Sequence, residues 1–235
     1  MKIKNGIALF IILSIFICCL GISAGAEEKE DPFAVALDPQ LNYLTVVNDN
    51  HPYVFNGSYD LELKGDIVYL SDVFGDATPV EKATALAFTQ LQTALRDQGM
   101  IIGLYSGYRT YEDQEWVYKY YSSLENWAND NKVQHPGFSE HHTGLVLDIL
   151  ILYSEDGDEP CWYTETAERQ QTIPYFKLLH ETLADYGFID RYPAGKEMYT
   201  GVPCEPYEIR FVGSSSIAHI ITDCELCLEE YLYGE

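Results

Sequence analysis

Residues 145–152 form an apolar run broken at one position, Asp148. The run has the length and composition of a buried strand. A carboxylate in such a strand costs folding free energy unless it is paired, hydrogen-bonded or bound to a metal ion. Taken alone, Asp148 supports a buried, hydrogen-bonded carboxylate as well as it supports a ligand. His141 shifts the balance, because it stands seven residues earlier at the mouth of the same strand, with His142 beside it. A second segment, Glu205-Pro206-Tyr207-Glu208-Ile209-Arg210-Phe211, brings two more carboxylates to the start of another strand.

The rest of the chain frames these positions. With 235 residues it can build one domain with a sizeable core, and no repeat or low-complexity linker divides it. Thr78-Pro79-Val80-Glu81 has the pattern of a capping box with proline in the first turn, so a helix is expected from Pro79 to Gly99. Residues 100–105 read as a strand. Ser106-Gly107-Tyr108-Arg109-Thr110 reads as a turn into a second helix over 111–127, whose stripe of Val117, Tyr121 and Leu124 is expected to face the core. Further helices are expected over 173–186 and 215–231, and further strands over 187–192 and 207–212. Helices gathered against strands with hairpin-like returns indicate an α+β fold with antiparallel pairing.

The net charge of -23 argues against nucleic acid as a partner, because phosphate binding needs basic patches, and anionic membranes are disfavoured for the same reason. Residues 1–26 read as a signal peptide: Lys2 and Lys4, an apolar core over 7–22, then Ala24-Gly25-Ala26. The apolar core is short for a spanning helix, so no stable membrane insertion is expected after cleavage. Residues 27–40 read as a loose acidic leader, and 41–235 as the folded domain. Cys161, Cys204, Cys224 and Cys227 permit disulfides in an exported protein, but their spacing assigns no pairing and no second CxxC marks a zinc knuckle. His51, His135, His180 and His219 read as structural or solvent-facing.

The order Ser106-Gly107-Tyr108-Arg109, then Ser139, His141, Gly144 and Asp148, then Glu205-Pro206-Tyr207, resembles the zinc D-alanyl-D-alanine carboxypeptidases of bacterial cell walls, the VanY-like branch of the LAS metallopeptidases. The resemblance runs from about residue 42 to the C-terminus. It takes in Gly187-Phe188-Ile189, Arg191-Tyr192-Pro193 and Gly195-Lys196. It implies a small antiparallel sheet flanked by helices, and an exported bacterial enzyme, secreted or in the cell envelope. The implied reaction removes C-terminal D-alanine from peptidoglycan stem peptides. In that likeness His141 and Asp148 match zinc ligands, and Glu205 matches the general base. Arg109 matches a substrate-holding arginine with a catalytic role, and Gln114 and Ser139 match residues that shape the substrate site.

The departure is at position 208, where the family pattern Glu-Pro-Trp-His ends in a histidine ligand and this chain has Glu208. Three readings follow. Glu208 is a substitute ligand, or it is a non-ligand in a metal-free pseudoenzyme that still binds wall peptides, or His142 or Cys204 completes the site. The joint retention of Arg109, His141, Asp148 and Glu205 favours the first. A set of His141, Asp148 and Glu208 would reduce the preference for zinc over manganese or magnesium, because carboxylate oxygen suits the harder ions.

Overall fold

The computed structural model describes residues 31, 33–53, 66–123, 133–153 and 174–234. Among them, strands β1 (Ile67–Ser71) and β2 (Ala77–Glu81) form a hairpin. Strands β3 (Ile101–Ser106), β4 (Val146–Tyr153), β5 (Phe188–Tyr192) and β6 (Glu205–Phe211) form a sheet in the order β3-β4-β6-β5, with every pairing antiparallel. The helices are α1 (Lys82–Arg96), α2 (Tyr111–Ser122), α3 (Pro174–Leu183), α4 (Glu197–Thr200), α5 (Ser215–Asp223) and α6 (Leu228–Tyr233). The architecture is the expected α+β fold, a small antiparallel sheet flanked by helices.

Side chains alternate between the two faces of a strand, and β4 and β6 use this to separate core from chemistry. Leu147, Ile149 and Ile151 of β4 and Ile209 and Phe211 of β6 enter the main core, against Phe88, Leu91 and Leu95 of α1 and Leu179 and Leu183 of α3. Asp148, Glu208 and Arg210 take the alternate positions and are buried on the opposite face. The β4–β6 ladder sets Asp148 directly opposite Glu208 and Val146 opposite Arg210. Ser106 of β3 pairs with Asp148 from the other side.

Several elements differ from the sequence expectation. Thr78 does not cap a helix: residues Ala77–Glu81 are strand, and α1 begins at Lys82. Glu81 is the cap, accepting from the backbone N–H of Ala83 (3.0 Å) and Thr84 (2.8 Å) and from the Thr84 hydroxyl (2.8 Å). One buried carboxylate thus satisfies two orphan donors of the first turn, which outweighs the Thr-Pro-x-Glu pattern. Pro79 is tolerated because a two-stranded hairpin has no central strand. The single helix expected over 215–231 is two, α5 and α6, separated by a left-handed Glu225 (φ 53°). The Glu230 carboxylate caps the second by accepting from Cys227 N–H at 2.9 Å. Helix 173–186 is α3 followed by a 3-10 turn over Ala184–Tyr186. The leader expected over 27–40 is not loose from Phe33 onward, because Phe33 is fully buried and meets the Phe211 ring edge-on at 5.0 Å. Residues 1–26, Leu124 and Cys161 lie outside the described residues, and no disulfide joins any two of Cys204, Cys224 and Cys227.

A buried ionic network lies beside the Asp148 and Glu208 carboxylates on the same face of the sheet. Glu140, Arg191 and Arg210 are at most 1% exposed. Arg191 donates to Glu140 (2.9 Å) and to both oxygens of Glu229 (2.7 and 3.0 Å). Arg210 bonds the other oxygen of Glu140 and donates to the carbonyls of Tyr43 (3.0 Å) and Thr45 (2.9 Å). Two guanidinium groups and two carboxylates make the set formally neutral, which is what allows it to be dry. It ties β5, β6, α6 and the segment around residue 45 to the turn that begins at Glu140. Glu140→Gln leaves Arg191 to Glu229 and Arg210 with neutral acceptors alone, and is expected to lower the unfolding free energy by about 3–5 kcal/mol, read from urea denaturation.

Candidate metal centre

The turn that presents His141 is short and held at both ends. Residues Glu140–Thr143 form a 3-10 turn, the Ser139 hydroxyl accepts from His141 N–H at 3.4 Å, and Gly144 (φ 69°) closes it in the left-handed region. The imidazole is oriented from behind: Nδ1–H donates to the Gly107 carbonyl at 2.6 Å. That bond fixes the ring's orientation and turns Nε2 toward β4 and β6, the arrangement typical of a ligating histidine. Gly107 must be glycine, because a Cβ there would lie 2.6 Å from the Pro79 carbonyl oxygen. The hairpin β1–β2 therefore sets the depth at which His141 is held.

Three ligand atoms converge. Nε2 of His141 lies 3.5 Å from Asp148 Oδ2 and 3.6 Å from Glu208 Oε2, and the donor atoms of the three residues are all within 4.8 Å of one another. The second oxygens, Asp148 Oδ1 and Glu208 Oε1, are buried and have no hydrogen-bond partner. Two carboxylates directly opposite each other in a ladder repel, and buried acceptors without donors are costly. A divalent cation answers both, so the residues present fit one.

Arg109 covers part of the negative charge. Its guanidinium donates to Asp148 Oδ2 (2.8 Å), to the Ser106 hydroxyl (3.1 Å) and to Gln114 Oε1 (3.3 Å). Gln114 is buried and passes the constraint on by donating to the Gln134 carbonyl at 2.7 Å. Burial and the Arg109 charge pull the His141 pKa down, but Asp148 and Glu208 outweigh them and carry it up to about 9. Burial also lifts the Glu205 carboxyl far above the usual carboxylate range, with the neighbouring Glu208 and Asp148 adding to the rise. Glu205 thus holds a proton readily beside the three converging donors.

His142 is not part of the cluster. Its Nδ1–H donates to the Arg109 carbonyl (2.8 Å) and its Nε2 accepts from Gly137 N–H (3.0 Å), so both ring nitrogens are engaged. Cys204 is half-buried and does not contribute to the converging donors. Among the described residues, the reading in which His142 or Cys204 completes the site therefore finds no support in this geometry.

The cluster opens into a cavity of about 430 Å³ lined also by Arg109, Gln114, Ser139, Tyr192, Glu205 and Tyr207. Val117 and Tyr121 line the mouth of this cavity and are half-buried, so the stripe expected to face the core faces the site instead. Gln114 is the fully buried residue of α2. Trp116 and Tyr120, stacked at 5.4 Å and 65% and 50% exposed, extend the rim into solvent. Sequence reasoning missed Tyr192 and the Glu140 network. The Glu140 carboxylate was visible only as the residue before His141.

A family model for VanY, D-alanyl-D-alanine carboxypeptidase, matches residues 77–214. The chain belongs to the VanY D-alanyl-D-alanine carboxypeptidase family. Among relatives of this VanY-family chain is the bifunctional D-Ala-D-Ala dipeptidase and D-Ala-D-Ala carboxypeptidase VanXYC of Enterococcus gallinarum. It is 30% identical over 210 residues, covering 81% of this chain and 94% of the relative. A D-alanyl-D-alanine carboxypeptidase of Enterococcus faecalis is 31% identical over 230 residues, covering 92% and 76%. A variant of the vancomycin-resistance D,D-pentapeptidase VanY, solved in complex with Zn(II), superposes with a TM-score of 0.60 at 29% identity, covering 81% of this chain and 98% of that one. The LD-carboxypeptidase LdcB superposes at 0.61 and 29% identity, covering 81% and 86%. The VanY-family fold is thereby shared with enzymes of both D,D and L,D type.

Burial, with the positive charges of His141 and Arg109 adding, pushes the His142 pKa down from 6.5 to about 4. The unfolded state therefore binds the extra proton first, and stability is lost as pH falls from 6.5 toward 4. Urea unfolding under chelator at pH 7 and pH 4 is expected to show wild type losing about 3 kcal/mol more than His142→Asn across that window.

Proposed function

We propose that this chain is a metal-dependent carboxypeptidase that removes C-terminal D-alanine from peptidoglycan stem peptides, with Glu205 as general base. The observation that carries the reading is the convergence of His141, Asp148 and Glu208 donor atoms within 4.8 Å, two of them on carboxylates that face each other across a ladder. Membership of the VanY family and the activities of the Enterococcus relatives support the substrate class. Export directed by residues 1–26 is part of the proposal and rests on the apolar segment over 7–22 followed by Ala24-Gly25-Ala26. No helix among the described residues is long and apolar enough to cross a membrane.

His141, Asp148 and Glu208 would hold the cation. When bound, it supplies Lewis acidity toward a peptide carbonyl and lowers the pKa of water. Glu205 lies beside Glu208 and Asp148 in a buried position where burial and these neighbouring carboxylates favour proton uptake. It takes the proton from the attacking water and delivers it to the leaving amine. Arg109 presents a planar, bidentate donor at the cavity wall, held in place by Ser106 and Gln114. Its role is to seat the C-terminal carboxylate of the peptide and to compensate charge that develops at the scissile bond. Ser139 acts one step back, by capping the turn that carries His141.

Incubating purified protein with a stem pentapeptide and a divalent metal is expected to release free D-alanine, to stop under chelator and to resume on metal return. Glu205→Gln is expected to lower kcat by about 10²–10⁴-fold without loss of folded structure by circular dichroism. Peptide binding without release, equal in wild type and Glu205→Gln, would leave a wall-peptide binding protein in place of the enzyme.

A further inference from the structure

The third donor decides which cation the site prefers, and here it is a carboxylate. Glu208 is not displaced from the cluster: it sits opposite Asp148 in the β4–β6 ladder with Oε2 3.6 Å from His141 Nε2. The donor set is therefore one imidazole and two carboxylates, with a formal charge of minus two against a divalent ion. Each carboxylate also carries a second buried oxygen without a hydrogen-bond partner, Asp148 Oδ1 and Glu208 Oε1. One nitrogen and two carboxylate oxygens converge, and each carboxylate keeps a second, unpartnered oxygen that a cation with more than four ligands could recruit. Ions that favour oxygen and higher coordination numbers gain from such a set, and manganese(II) is one of them.

We infer that Glu208 makes this a centre that binds manganese(II) well, with a zinc preference much weaker than a histidine at the same position would give. The inference rests on the metallopeptidase reading above and specifies its cation. Zinc is the softer partner and loses most when a nitrogen donor becomes an oxygen. Manganese loses least and gains the option of a two-oxygen grip by Glu208.

The test is binding, not turnover. Chelator-stripped protein is titrated with manganese(II) while the electron paramagnetic resonance signal of the free ion is followed, and zinc is then added as competitor. Wild type is expected to take up one manganese per chain. Glu208→His is expected to shift the zinc-to-manganese affinity ratio toward zinc by about tenfold or more. Glu208→Gln, which keeps an oxygen but removes the charge and the two-oxygen grip, is expected to weaken manganese uptake and serves if the histidine variant does not fold. An unchanged ratio in Glu208→His, or unchanged manganese affinity in Glu208→Gln, overturns the inference while leaving a zinc enzyme possible. Failure of wild type to bind either ion at one per chain overturns the metallopeptidase reading along with it.

Discussion

Asp148 and Glu208 stand side by side because the ladder between β4 and β6 puts them there. Both are buried, and each keeps one oxygen without a donor. Their mutual repulsion is the constraint around which the surrounding structure is arranged. Arg109 reaches in at 2.8 Å to offset one charge, and the His141 imidazole is turned toward both carboxylates by the Gly107 carbonyl behind it. What these two groups leave uncompensated is the pull that a divalent cation would answer. The same pull raises the proton affinity of Glu205 and His141 together.

The second requirement is rigidity of the turn before β4. A histidine on a free loop would swing away from two carboxylates or fold onto them as a salt bridge. Here the residue before it, Glu140, is clamped by Arg191 and Arg210, which are anchored in turn by Glu229 and by backbone carbonyls of the segment around residue 45. The two networks lie side by side on one face of the sheet, joined through the adjacent residues Glu140 and His141. The neutral one gives a fixed frame, and the negative one uses that frame to keep its three donor atoms within 4.8 Å of one another. Packing of α1 and α3 on the far face of the sheet holds both in register.

Much of the site was legible because it violates a pattern. Asp148 interrupts an apolar run, so it stands out without any structure, and His141 follows from its place at the mouth of that run. The capping role of Ser139 and the bracing of Arg109 by Gln114 were not readable from residues alone, since each depends on a contact made across the chain. The error at Thr78 has a local cause: Glu81 can cap from its own position, and a strand-to-helix junction hides inside a capping-box pattern. The Val117 and Tyr121 stripe misled because apolar periodicity reports a buried face but not whether protein or a cavity lies opposite it. Arg191 and Arg210 were invisible for a different reason. Buried arginines look like surface arginines until the partners that neutralise them are found.

Position 208 belongs to a strand, so its Cβ is placed by the pleat and not by the whim of a loop. The side chain there can be exchanged while the scaffold stays as it is. That uncouples the appetite for one element over another from the architecture that houses it. A change of ligand chemistry through this single strand position would leave the Glu205 carboxylate and the Arg109 guanidinium where they are.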